Sequence, residues 1–174
     1  VTWIPDSLAG DPLDLRALYE QHVEGAFIPK GKGRAIQMLV KFPESVPVET
    51  DDDAVAALQL AVDFAASIFG DEAVFAARMD RDEKSLTNAD LFIAPRYTKV
   101  TKHTQKTAVS LSYHLKRMSE ARSGPLPTDN DILRRQGRDL QDAFATFLRS
   151  RGYQALRGEP KKTAEPDWEK PETW

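Results

Sequence analysis

The chain has 174 residues, with 24 basic and 27 acidic side chains for a net charge of −3, 41% hydrophobic and 29% charged residues, and no cysteine. That length suits one domain with a real core. The composition excludes a uniformly basic nucleic-acid binder, a disulfide framework, a thiolate zinc site and a thiol nucleophile. No run of about 18 apolar residues is present to span a bilayer, and no signal-peptide pattern opens the chain. No membrane partner is expected, and a cytoplasmic setting fits. The opening Val in place of Met fits a fragment or a processed form.

Residues 1–11 read as a loop or extended lead-in. Asp11-Pro12 then offers a helix start, Asp as N-cap and Pro at the first helical position. Leu15, Leu18, Tyr19, His22 and Val23 follow at helical spacing, and the helix should fade near Gly25. Residues 28–34 form a basic, glycine-rich connector that lacks the Gly-Lys-Ser/Thr ending of a Walker loop. Residues 35–42 alternate as a strand with Ile36, Met38 and Val40 on one face, closed by Pro43 and Pro47. Thr50-Asp51-Asp52-Asp53 caps a helix over 54–69 whose apolar stripe is Leu58, Ala61, Ala65 and Ile68, and Gly70 ends it.

Residues 73–80 and 89–97 are predicted strands, paired antiparallel across an acidic turn. The Thr- and Lys-rich stretch 98–107 reads as a mobile loop or a ribbon. A helix over 109–121 carries Leu111, Leu115 and Met118, and 123–127 is a linker. A long helix over 129–151 turns Ile132, Leu133, Leu140, Phe144, Phe147 and Leu148 inward, with an edge strand expected at 153–156. These elements predict one α+β domain over 1–162: an antiparallel sheet with helices mainly on one face. The charged, proline-punctuated tail 163–174, with Trp168 and Trp174, is expected to be flexible or docked elsewhere.

Two groups of residues carry candidate chemistry. Asn88 and Asp90 lie two apart on one strand and share a face, and Asp80 closes the preceding strand across the turn. Three such oxygen donors suit a hard divalent cation, Mg²⁺ or Mn²⁺, with Asp82 and Glu83 as supporting or alternate ligands. The competing reading is that Asp and Asn simply form the turn. The second group is basic. Lys99, Lys102, His103 and Lys106 alternate with threonine hydroxyls, followed by Lys116, Arg117, Arg134, Arg135 and Arg138 on helices. Together they could track a DNA backbone beside the acidic turn. The alternative is a solvated loop and two ordinary helix faces. No aromatics interleave with these cations, so base stacking is not signalled.

The stretch 76–95, AARMDRDEKSLTNADLFIAP, resembles the metal motif of the Mob/Pre plasmid-mobilisation relaxases, a branch of the HUH endonucleases. Asn88-Ala89-Asp90, four mostly apolar residues and Pro95 match the end of that pattern, and Asp82-Glu83 match its Asp-Glu pair. Asp80, Asn88 and Asp90 then fall on the family's three histidines, all of which are absent. The loop before Asn88 is longer than the family's, and Thr87 replaces the usual proline. Residues 136–158, with Gly152-Tyr153 and Arg157-Gly158, resemble the family's long helix and closing turn. The resemblance covers about 34–162 and implies an HUH, palm-like fold. It also implies DNA as partner, single-stranded or an origin hairpin, in plasmid or mobile-element mobilisation or replication. It implies metal-dependent nicking by transesterification too, with Tyr19 or His22 as candidate nucleophiles and Tyr97 near the site. Tyr19 at helical spacing also suits packing, and His22 a surface or boundary position. The rival expectation is a relaxase-derived module without catalysis, serving in DNA binding or docking a protein partner. A third is an unrelated α+β interaction domain.

Overall fold

The computed structural model describes residues 1–30, 34–80, 87–126 and 131–157. The elements in chain order are β1 (Thr2–Trp3), α1 (Leu15–His22), β2 (Ile36–Lys41), α2 (Asp51–Phe69), β3 (Val74–Arg78), β4 (Asn88–Ile93), β5 (Arg96–Val100), β6 (Gln105–Val109), α3 (Leu111–Ser123) and α4 (Ile132–Ser150). They make an α+β fold. Four strands form an antiparallel sheet in the order β1-β3-β4-β2, and β5 and β6 form a separate two-stranded ribbon. Asp82, Glu83, the tail 163–174 and its two tryptophans lie outside the described residues.

Local signals place the helices. The Asp14 carboxylate accepts from the Ala17 N–H and starts α1. The expected cap Asp11 instead bonds the Leu13 N–H and shapes the turn before it. Thr50 and Asp53 form a reciprocal capping box on α2, with Asp51, Asp52 and Asp53 in its positive first turn.

The sheet buries unequal faces. On one, Val40, Val74, Ala77, Met79, Ala89, Leu91 and Ile93 pack under α2, joined by Ala145 and Leu148 of α4 and by Leu111 and Leu115 of α3. On the other, α1 covers only part, with Leu18 against Phe75 and Ala76. Three helices thus share one face and one lies opposite. A bulge between Val74 and Ala76 makes the second face usable. Simple alternation would put Val74 and Ala76 on the same side; the register shift sends Phe75 and Ala76 toward α1 and returns Ala77 to the main core.

Five expectations are refined. Leu133, expected to turn inward on α4, is 77% exposed. Thr2–Trp3 pair with β3, so the lead-in contributes a short edge strand. The predicted strand 89–97 divides at Ala94-Pro95: β4 ends at Ile93, and Arg96 starts the ribbon. Proline has no N–H to continue a ladder. The stretch 98–107 is the ribbon rather than a loop. Residues 153–156 form no strand; Ala155 is buried, and its carbonyl accepts from Arg149 Nη1 at 3.0 Å.

Candidate nucleic-acid interface

The ribbon grows out of the corner at Pro95. Phe27 runs beside β6: its N–H donates to the Thr107 carbonyl at 2.8 Å, and the Val109 N–H donates to its carbonyl at 3.1 Å. At the tip, Thr101 and Thr104 close the turn through backbone and hydroxyl bonds. This leaves Lys102 and His103 exposed to solvent. In the strands, Lys99 and Lys106 stand directly opposite each other. Their ammonium groups lie 5.7 Å and 3.5 Å from the centre of the Phe27 ring, which is 40% exposed.

Like charges opposed across a ladder destabilise it, and the aromatic ring that both ammonium groups approach acts against that cost. Among the described residues no carboxylate pairs with Lys99, Lys102, His103 or Lys106. Among the described residues the ribbon therefore presents three lysines without an acidic partner, with His103 beside them at the turn.

The helical cations divide. Tyr97 on β5 stacks on Tyr113 of α3, with ring centres 4.2 Å apart and planes at 18°. Arg117 Nη1 donates to the Tyr113 hydroxyl at 3.0 Å, so this guanidinium sits at the ribbon's base. Lys116 leans on Glu120 at 3.8 Å, and Arg134 on Asp131 at 4.0 Å, both in exposed pairs. Arg138 is exposed. Arg135 turns inward: it donates to the carbonyls of Ser123, Gly124 and Pro125, satisfying the C-terminal end of α3. It also faces Asp139 at 3.7 Å. Burial pushes the Asp139 carboxyl up, but hydroxyl bonds from Ser119 and Ser123 and the Arg135 charge outweigh it and hold the group below its usual range. Arg135 and Asp139 fasten α3 to α4.

The acidic candidates lie at the far end of β4. A six-residue strand spans roughly 17 Å, so Asn88 and Asp90 stand well away from the corner where the ribbon starts. Asp80 and Asp90 share one cation already present in the chain: Arg78 Nε is 3.6 Å from Asp80 and 3.4 Å from Asp90. Gln37 Nε2 donates to the other Asp90 oxygen at 2.8 Å. The Asn88 Oδ1 is buried without a hydrogen-bond partner, an oxygen with lone pairs to offer. An oxygen-seeking cation would suit Asn88, but at Asp80 and Asp90 it would have to displace the guanidinium. Among the described residues no group of three His, Cys, Asp or Glu side chains is placed to hold a metal ion.

Tyr19 and His22 lie on α1, on the same side of the sheet as Asp90. Both rings meet Phe75, at 5.7 Å and 5.6 Å between centres, and Phe75 meets Phe92, two residues beyond Asp90. The Tyr19 hydroxyl is buried without a partner, and burial raises its pKa against the lowering effect of Arg34. His22 is buried and donates from Nε2 to the Ala94 carbonyl at 2.8 Å; desolvation lowers its pKa, with that hydrogen bond acting in the opposite sense.

Phe27, Tyr113 and Arg78 were not singled out from the sequence. Arg78 could have been: Arg78-x-Asp80 places both side chains on one face of a strand, beside the acids already chosen. Phe27 carries no such signal, because its position depends on a bridge to β6 about 80 residues away. No helix among the described residues is long and apolar enough to cross a membrane. No protein-family model, curated protein or solved structure matches this chain.

Proposed function

We propose that this chain is a DNA-binding domain whose contact surface is the β5–β6 ribbon, extended at its base by Arg117. One observation carries the reading: Lys99 and Lys106 are held face to face over Phe27, with Lys102 and His103 at the tip, and no carboxylate among the described residues compensates them. A polyanion relieves that repulsion, and each phosphate neutralised releases counterions. A two-stranded ribbon also has the width to enter a major groove. The net charge of −3 does not oppose this, because binding depends on the local field.

The test is titration of labelled single-stranded, hairpin and duplex oligonucleotides over a range of salt. Lys102→Glu with Lys106→Glu is expected to weaken binding by at least about tenfold and to flatten the salt slope by roughly 2. Equal affinity and slope in the double variant would overturn the assignment.

The second reading follows the Mob/Pre resemblance: an HUH-like, palm-like relaxase domain that nicks DNA at a Mg²⁺ or Mn²⁺ site. The partnerless Asn88 Oδ1 and the placement of Tyr19 and Asp90 on one side of the sheet favour it. Arg78 between Asp80 and Asp90 favours the form without catalysis. Adding Mn²⁺ and supercoiled plasmid to the same assay separates them. Binding without nicking supports the module that only binds. Nicking that Asp90→Ala abolishes restores the enzyme.

A further inference from the structure

The two edges of the four-stranded sheet are unlike. β1 is two residues long and offers almost nothing to an incoming strand. β2 is six residues long, has no proline, and pairs with β4 without a register shift. Its outer hydrogen-bonding groups can be identified from one bond. The Phe42 N–H donates to the Thr87 carbonyl at 2.9 Å, continuing the register in which Lys41 opposes Asn88. Hydrogen bonding alternates along an antiparallel strand, so Val40, Met38 and Ile36 also face β4. Gln37, Leu39 and Lys41 therefore turn their N–H and C=O groups outward. Among the described residues nothing bonds them there.

The middle residue of that outward set is Leu39, which is 62% exposed. A six-residue edge with unpaired N–H and C=O groups and an apolar side chain at its centre is a liability unless another strand covers it. We infer that a second copy of this chain does so, by antiparallel pairing of β2 with β2 about a two-fold axis at Leu39.

The strand is self-complementary in that register. Leu39 meets its own copy, and Gln37 meets Lys41 of the partner subunit in both directions. These are the three positions whose backbone groups face out, giving about six hydrogen bonds, two for each pair. On the opposite side of the sheet Met38 falls against Val40 of the partner subunit, apolar on apolar. No like charges are opposed. Asp90, beside Leu39 in the ladder, lies about 14 Å from its counterpart, three strand spacings away. It is also bonded to Arg78 and Gln37. The product is one continuous eight-stranded sheet with both β2 edges removed.

The test is sedimentation velocity over a wide concentration range, with hydrogen exchange resolved at Gln37, Leu39 and Lys41. The expected result is a reversible dimer with those three amides protected. Leu39→Lys should abolish it, because two ammonium groups would then meet on the axis. Leu39→Cys should cross-link under mild oxidation, since directly opposed Cα atoms lie within disulfide reach. Val55→Cys, at a comparable exposure of 55% but on α2, should not cross-link. Circular dichroism of Leu39→Lys checks that the exposed substitution leaves the monomer folded. A monomer at every concentration overturns the inference: protected amides would show the chain covering its own edge, and exposed ones an edge left for a different strand. A dimer that survives Leu39→Lys overturns it as well, by placing the contact on another surface.

Discussion

Two consecutive hairpins of similar size do opposite jobs. β3 and β4 are threaded through the core: Val74, Phe75, Ala76 and Ala77 are all buried, as are Ala89, Leu91 and Ile93. β5 and β6 stand outside it, with only Ala108 and Val109 buried, and oppose lysine to lysine. The first hairpin is held by what its side chains bury. The second is held by its ladder, by the Phe27 bridge and by Tyr97 on Tyr113. Backbone geometry is shared, so the side chains decide which ribbon is scaffold and which is surface.

The comparison can be broken most severely at Leu91, which is fully buried. Leu91→Ala is expected to cost about 2–5 kcal/mol of stability, read from chemical denaturation, while the folded fraction keeps the oligonucleotide affinity proposed for the ribbon. A similar loss from a ribbon substitution such as Lys106→Gln would erase the distinction.

The junction between the hairpins supplies a second test. His22 and His114 donate to the carbonyls of Ala94 and Arg96, on either side of Pro95. Burial lowers the pKa of both below 6.5; Arg96 adds to this at His22 and Arg117 at His114, while Glu72 acts in the opposite sense at His22. The folded chain therefore binds fewer protons than the unfolded chain once pH falls toward 6.5. Stability is complete above that value and should decline as pH drops through it, until the folded-state pKa values are reached. Thermal melts from pH 8 to 5 check this. His22→Gln with His114→Gln should flatten the profile in that window.

The smallest effect sharpens the contrast. Lys99→Gln removes one of two opposed ammonium groups, the one farther from the Phe27 ring, and should raise stability by a few tenths of a kcal/mol, while weakening the DNA binding proposed for the ribbon. Stability and binding moving in opposite directions is what a surface shaped for a ligand predicts.

The core hairpin was largely legible because burial leaves an imprint: apolar runs interrupted by an acidic turn. β2 and α2 are legible for the same reason, through alternation at Ile36, Met38 and Val40 and the stripe of Leu58, Ala61, Ala65 and Ile68 behind the Thr50-Asp51-Asp52-Asp53 cap. The stretch 98–107 reads equally as loop or ribbon because Thr98, Lys99, Gln105, Lys106 and Thr107 alternate without an apolar face, and periodicity registers only hydrophobic contrast. β1 escaped because two residues carry no period and pair with Arg78 and Ala77 far along the chain. At the candidate site the cations were found as a set. Their division into outward Lys99 and Lys102 and inward Arg135 required the fold.

Pro95 gives the ribbon the mechanics of a lever. It interrupts the ladder between β4 and β5, and the two histidine bonds straddle it, one reaching back to α1 and the other forward to α3. A load applied at Lys102 by any ligand held there would exert torque about that corner. The two helices at its sides, one on each face of the sheet, are where the torque would be resisted.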